Sequence, residues 1–213
     1  MAGSEVRFRD RQEAGRALAE AVAALDLVRP VVLGLPRGGV PVAAEVAAAL
    51  DAPLEVVVAR KVGMPGRPEY AIGAVSEGSG AVVLHHDPGE LALTDHDLDR
   101  AVEDAADEAR RRVERYRAGL PLPALTGRTA VVVDDGLATG ATAEAALGAV
   151  RARGADEVIL AVPVGSPGTV ARLTAAGVRV VCLSTPSGFT AVGLWYDDFT
   201  QTTDAEVLAL LGR

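Results

Sequence analysis

Cysteine is almost missing from this chain: Cys182 stands alone among 213 residues, which excludes a disulfide-stapled scaffold. It lies in an apolar run and reads as a small core residue in a reducing cytoplasm. Lysine is as scarce, since of 21 basic residues only Lys61 is not arginine. Basic surplus is lacking too. Against those 21 stand 29 acids, for a formal charge of -8 and a pI near 4.9. That balance argues against a surface that wraps nucleic acid or an anionic membrane, both of which need excess Lys and Arg. The opening MAGSEVRFRD carries no apolar h-region, and no uncharged apolar run reaches about 18 residues, so neither a signal peptide nor a membrane span is expected. Aromatics are few, at one Trp, three Tyr and three Phe, yet Phe189, Trp195, Tyr196 and Phe199 crowd into one short segment.

What is present is a chain 49% hydrophobic, enough for one sizeable core with a small appended lobe and too apolar to be disordered. The negative charge is local. Asp87, Glu90, Asp95, Asp97, Asp99, Glu103, Asp104, Asp107 and Glu108 face only Arg100 within residues 87–108, and the remaining chain balances. These acids are expected to form a solvated face away from every motif.

Periodicity gives short β-rich runs alternating with helices. Ala14, Ala17, Leu18, Ala21, Val22 and Leu25 mark a helix over 10–25 with Asp10 as N-cap. Residues 30–35 form a short apolar run, followed by a helix over 40–50. Residues 54–59 read as a buried strand, 60–68 as a Gly/Pro-rich loop, and 70–75 and 81–84 as β-like stretches. Thr94 caps a helix over 95–117, with Asp107/Arg111 and Glu108/Arg112 as i,i+4 pairs. A strand over 129–133, a helix to 151 ended by Gly154, a strand over 158–162, a helix near 169–176, a strand over 178–183 and a helix over 204–211 complete the order. Strands separated by helices predict right-handed βαβ units and a mainly parallel sheet covered on both faces. Ligands of such sheets lie beyond the carboxyl ends of the strands.

The strongest motif is Val131-Val132-Val133-Asp134-Asp135-Gly136-Leu137-Ala138-Thr139-Gly140-Ala141-Thr142. An apolar strand delivers two acids, and a loop with Thr139, Gly140 and Thr142 opens a helix whose N–H groups suit a phosphate monoester. Two adjacent carboxylates suit vicinal hydroxyls, so phosphate and diol together describe a ribose 5-phosphate. An ordinary strand-to-helix turn remains the plainer alternative. The stretch resembles the phosphoribosyl-diphosphate (PRPP) signature of type I phosphoribosyltransferases. The resemblance implies that Asp134 and Asp135 hold the ribose hydroxyls and that Ala138, Thr139, Gly140, Ala141 and Thr142 cradle the 5-phosphate.

Beside that signature, Gly34-Leu35-Pro36-Arg37-Gly38-Gly39 resembles the family's pyrophosphate loop, with Arg37 a bidentate donor and Gly38 and Gly39 admitting an oxyanion to the backbone. That loop often carries a non-proline cis peptide in the family. The segment Arg60 to Tyr70 looks like the family's flexible catalytic loop, a lid that shields a reactive cation; its plainer alternative is a solvated surface hairpin. By resemblance Arg60 and Lys61 neutralise the departing pyrophosphate, Lys61 from a neighbouring subunit in several relatives, and Glu69 is a candidate acid or base. Phe189, Trp195, Tyr196 and Asp197 are similar to the hood of 6-oxopurine members, where a ring stacks on the base and an Asp reads its edge; the alternative is that the rings glue a hood to the sheet. The position matching an acid in those members is Ala138, so the phosphate loop looks adenine-like while the hood looks oxopurine-like.

The expectation is therefore an α/β fold, a mainly parallel sheet with helices on both faces plus a small hood lobe, in a single domain over 1–213, with the core over about 26–184 and the hood from 1–25 and 185–213. The resemblance implies a Mg²⁺-dependent transfer of 5-phosphoribosyl from PRPP to a small-molecule acceptor, with a purine-like nucleobase leading, in nucleotide salvage. It implies a cytoplasmic homo-oligomer, a dimer favoured, with no nucleic-acid or membrane partner. The adjacent His85 and His86 and the separate His96 match no metal-site spacing, so no protein-built metal site is expected and Mg²⁺ would ride largely on the diphosphate. A regulatory or nucleotide-sensing homologue without transferase activity is the alternative.

Overall fold

Alternate residues of the central strands are apolar on both sides. Val31, Leu33, Ala130 and Val132 enter one buried cluster, and Val32, Val131 and Val133 enter another, so the sheet must be covered on both faces. The protein is described by a computed structural model at residues 6–77, 82–84, 91 and 93–213, with the side chains of 68, 69, 82 and 83 outside that set. Its order is α1 (Arg11–Ala23), β1 (Val31–Gly34), α2 (Gly39–Ala49), β2 (Leu54–Val56), β3 (Ala59–Met64), β4 (Arg67–Ser76), β5 (Val82–Leu84), α3 (Asp95–Arg117), β6 (Thr129–Val133), α4 (Ala141–Ala152), β7 (Glu157–Val164), α5 (Pro167–Ala175), β8 (Arg179–Ser184), a 3-10 turn over Val192–Trp195, and α6 (Asp204–Leu210).

Five strands form a parallel sheet in the order β2-β1-β6-β7-β8. Helices α1 and α2 cover one face through Leu18, Val22, Val42 and Val46. Helix α4 covers the other through Ala145, Ala146, Leu147 and Val150. Helix α1, expected in the hood, packs on the main sheet through Leu18, Ala19 and Val22, while its Ala14 and Ala17 also meet the hood cluster of Trp195 and Tyr196; backbone pairing with the hood lies before it. There Phe8 bridges Tyr196, and Asp197 and Asp198 donate their N–H groups to the carbonyls of Phe8 and Arg9.

Two expectations are corrected around residue 60. The strand expected over 54–59 stops at Val56, and Ala59 begins a second, antiparallel sheet of order β3-β4-β5. The expected loop over 60–68 is largely a hairpin, in which Arg60 faces Val75 and Lys61 faces Ala74 across the ladder. Its Gly and Pro residues, read as loop signals, serve the turn, where Gly66 has φ +76°, and the register shifts around Gly63. Buried Val62, Ile72 and Val75 pack the hairpin against Ala105 of α3. Helix α3 has the expected start, a Thr94–Asp97 capping box, but Asp107 pairs with Arg110, and Arg111 turns to Glu108. Cys182 is half-buried against the first cluster. Among the described residues no helix is long and apolar enough to cross a membrane.

Candidate functional site

The chain lays β2 on one side of β1 and lays β7 and β8 on the far side of β6, so strand order reverses between β1 and β6. That is where an open α/β sheet leaves a crevice for a ligand. The strands end level, Gly34 beside Val133, so the segments 35–39 and 134–140 leave the sheet side by side.

How the helices begin marks the same place. Helices α1, α3 and α6 are capped by the side chains of Asp10, Thr94 and Thr203. At the crevice α2 begins from Gly38 and α4 from Gly140, each without a side-chain cap; at α2 the Gly39 and Val40 N–H groups donate to the Leu35 and Arg37 carbonyls, whereas at α4 the first N–H groups are left for a ligand or water. Helix α5 also lacks a side-chain cap, but Pro at its start carries no N–H to satisfy.

The two glycines of the first loop are required by packing. A Cβ at Gly39 would fall 2.6 Å from the Val133 carbonyl oxygen and 2.8 Å from Asp134 Cα, and one at Gly38 would strike the Asp135 carboxylate. Gly38 and Gly39 therefore let the acid pair lie directly against the loop. The Pro36–Arg37 peptide is cis.

Asp134 Oδ1 accepts the Asp135 N–H at 2.9 Å. Burial foremost, then the neighbouring Asp135 charge, pushes the Asp134 carboxyl well above its ordinary range. Burial raises Asp135 as well, opposed by Arg11. Arg11 was not among the expected site residues. Its Nε donates to Asp135 Oδ2 at 2.8 Å, its Nη1 donates to the Thr200 carbonyl at 2.7 Å, and its guanidinium lies 4.0 Å from the centre of the Phe199 ring. A signal existed: a cation at the first position of a helix opposes the helix dipole, which hints at a tertiary partner.

The second loop runs from Leu137, bridged to Gly165, to Gly140 with φ +85°. Ala138 and Thr139 are exposed, Gly140 and Ala141 buried, and Thr142 half-buried. Helix α5 holds the loop from below. The Thr169 hydroxyl donates to the Ala138 carbonyl at 2.6 Å, and Arg172 Nη2 donates to that of Thr139 at 2.9 Å. Neither supporting residue had a local sequence signal.

On the other flank Arg37 Nη1 lies 3.6 Å from Asp204 Oδ1, and Asp204 also accepts from Arg115 and Tyr116. Burial and then Asp204 raise the Tyr116 phenol to about 12. Arg60 is half-buried with Nε lacking a hydrogen-bond partner, and burial followed by the Arg112 charge lowers its pKa. Lys61 is half-buried beside it. Helix α3 does not stand apart from the motifs as expected. Asp97, Arg100, Asp104 and Glu108 wall a cleft of about 630 Å³ with Arg60 and Lys61, because Ala101 and Ala105 on the same helix pack against the hairpin. The side chain of Glu69 lies outside the described residues, as do His85 and His86.

The hood reading needs correction for two rings. Trp195 is 8% exposed and Tyr196 2% exposed, in a cluster with Phe8, Ala14 and Val164, and the Tyr196 hydroxyl donates to the Asp135 carbonyl at 2.6 Å. With both faces packed, neither ring offers a stacking surface, and both fasten the hood to the sheet. Asp197 pairs with Arg7 at 2.6 Å on the surface, their side chains 61% and 59% exposed. Phe189 is half-buried in the same cluster, as is Val192, which packs over Gly136.

Fold and site together define an α/β protein with a switch-point crevice between an acid pair and a cluster of arginines. A family model described as the phosphoribosyl transferase domain matches residues 9–195. A Mycobacterium tuberculosis protein, named provisionally as a phosphoribosyl transferase, is 53% identical over 97% of this chain. The chain spans 46% of that relative's length. The crystal structure of TT1426 from Thermus thermophilus is 53% identical, covers 96% of this chain and 97% of its own, and superposes with a TM-score of 0.80. The AQ2163 protein from Aquifex aeolicus, 16% identical over 82% of this chain and 73% of its own, shares the fold at a TM-score of 0.50. The chain belongs to the phosphoribosyl transferase domain family.

Proposed function

We propose that the protein transfers the 5-phosphoribosyl group from PRPP to a nitrogen of a purine-like nucleobase and releases pyrophosphate. The observation that carries this is the junction at the sheet's switch point, where the acid pair after β6 packs on Gly38 and Gly39 after β1, between two helices that begin uncapped. A ligand with phosphate at one end, a diol in the middle and diphosphate at the other matches that sequence of donors and acceptors. The α4 N-terminus and the hydroxyls of Thr139 and Thr142 take the 5-phosphate. Asp134 and Asp135 accept from the ribose hydroxyls, for which Asp135 must share or yield its contact with Arg11.

In the transfer the C1′–O bond to pyrophosphate breaks as the acceptor nitrogen bonds to C1′, the bonding pair leaves with pyrophosphate, and the acceptor's N–H proton passes to water. The chain's part is electrostatic and positional. Arg37, Arg60, Lys61 and the amide of Gly38 stabilise the leaving group, the Gly39 N–H being held by the Leu35 carbonyl. Asp134 and Asp135 offer too few oxygens for the octahedral shell of Mg²⁺, which fits an ion held largely by the diphosphate and water; when bound it neutralises charge on the leaving group. The half-buried Phe189 and Val192 are the surface against which the acceptor ring rests. We further propose that the protein acts as a cytoplasmic homodimer.

Pyrophosphate release from PRPP and Mg²⁺ across a panel of bases tests the transfer. Calorimetric PRPP titration of the Asp134→Asn/Asp135→Asn protein tests the site, with a loss of roughly a hundredfold expected when two charged acceptors are removed. Unchanged affinity removes the site assignment. The second reading, a nucleotide-sensing homologue without turnover, is favoured by the engagement of Asp135 by Arg11; PRPP binding without pyrophosphate release for any base would select it.

A further inference from the structure

One arginine beside the crevice has no part in that scheme. Arg112, five residues before the end of α3, is largely covered. Its guanidinium spans two elements: Nη1 donates to the Pro36 carbonyl at 3.2 Å, 76 residues away in sequence, and Nε donates to Glu108 Oε1 at 3.2 Å. A peptide unit is planar, so holding the Pro36 oxygen also fixes the plane in which the Arg37 N–H lies. Arg60 and Glu108 line one cleft, and burial first, then the charges of Arg112 and Arg37 against that of Glu108, lower the Arg60 pKa. Three guanidiniums from α3, β3 and the loop after β1 thus share one side of the crevice. Glu108 and Asp204 stand at their edges, and Arg60 Nε is still unpartnered.

We propose that Arg112 is a positioning residue for the diphosphate end of the ligand, holding the Pro36 carbonyl with one arm and Glu108 with the other so that the Arg37 amide and Arg60 face the same anion. This rests on the phosphoribosyl-transfer reading. Position, not only charge, is what Arg112 supplies, since one planar fork satisfies two acceptors on separate elements.

The test is calorimetric titration of inorganic pyrophosphate and PRPP, each with Mg²⁺, and of ribose 5-phosphate, on the wild type, Arg112→Gln, Arg112→Lys and Glu108→Gln. Arg112→Gln is expected to weaken pyrophosphate and PRPP about tenfold, the scale of a hydrogen bond to a charged group, while ribose 5-phosphate stays within about twofold of wild type. Arg112→Lys should not recover the loss, because a single ammonium cannot hold both acceptors. Glu108→Gln, which keeps an acceptor for Arg112 Nε and removes a negative charge, should bind pyrophosphate at least as tightly as wild type. Wild-type affinity in Arg112→Gln overturns the proposal. So does full recovery by Arg112→Lys, which would reduce Arg112 to a charge, or an equal loss for ribose 5-phosphate. A wild-type protein that binds neither PRPP nor pyrophosphate defeats the transfer reading and this inference together. PRPP binding that Arg112→Gln leaves intact defeats the inference alone.

Discussion

Asp134 and Asp135 arrive at the crevice as consecutive residues at the end of one buried strand, whereas Arg37, Arg60 and Arg112 are brought there by a loop, an antiparallel strand and a helix. The acids can shed part of their charge cost by holding protons, and both have raised pKa values. Guanidiniums cannot deprotonate in this way, so the arginines keep their charge and need anions, which Glu108 and Asp204 supply in part. One half of the site is thus a local property of the chain and the other a product of tertiary assembly. Substitutions should therefore disturb the acid half through packing and pH, and the arginine half through its carboxylate partners.

The largest effect is expected from Gly39→Ala. The new Cβ would press on two backbone atoms, the Val133 oxygen and Asp134 Cα, and neither can swing aside. Loss of about 2 kcal/mol in urea denaturation, on the scale of overpacking, should accompany weakened PRPP binding. Gly148→Ala is the matched control, because its Cβ meets nothing within 4 Å in α4; a helix-interior Gly→Ala there should gain up to about 1 kcal/mol. Equal behaviour of the two variants would show that the loop does not brace the acids.

Next is the pH dependence of the acid half. Asp134 titrates well above its ordinary 3.8 in the folded protein, so the native state holds that proton more tightly than the unfolded chain does. Its contribution to stability is full below the ordinary value and is lost as pH rises through the raised one. Asp134→Asn, which keeps an acceptor for the Asp135 N–H, should therefore become more stable relative to wild type as pH rises. The gain should grow steadily from about pH 4 to pH 8, read from paired thermal melts. A flat difference would mean that Asp134 is ionised at no cost.

What is legible in the sequence follows the same division. The N-caps Asp10 and Thr94, the strand over 129–133 and the acid pair with its Thr-Gly-Ala-Thr loop are encoded by neighbours in sequence, and each is readable there. Arg11 meets Asp135 across 124 positions and Arg112 meets Pro36 across 76; no local pattern encodes such pairs. Residues 60–68 of the hairpin read locally as a loop because Pro65 and Gly66 carry a turn signal, while 70–75 already reads as β-like; the ladder that joins the two depends on burial against α3. Trp195 and Tyr196 mislead in another way: a cluster of rings in an aromatic-poor chain suits either a flat ligand or a seam, and only packing distinguishes the two.

The smallest effect is expected on the arginine half, from Asp204→Asn. Asp204 opens α6, pairs with Arg115, lies near Arg37, and accepts the Tyr116 hydroxyl. Asparagine can still accept that hydroxyl, so the stability cost should stay at about 1 kcal/mol. The electrostatic consequences are more specific. Tyr116, raised to about 12 by burial first and Asp204 second, should ionise at lower pH in the variant yet remain above the ordinary 10.0, because burial persists; ultraviolet titration of tyrosinate reads this directly. Arg37, freed of its carboxylate, should bind inorganic pyrophosphate more tightly, opposite in sign to Arg112→Gln. Weaker pyrophosphate binding in Asp204→Asn would mean that the carboxylate aims Arg37 rather than restrains it, and that both halves of the crevice depend on their counter-ions for geometry.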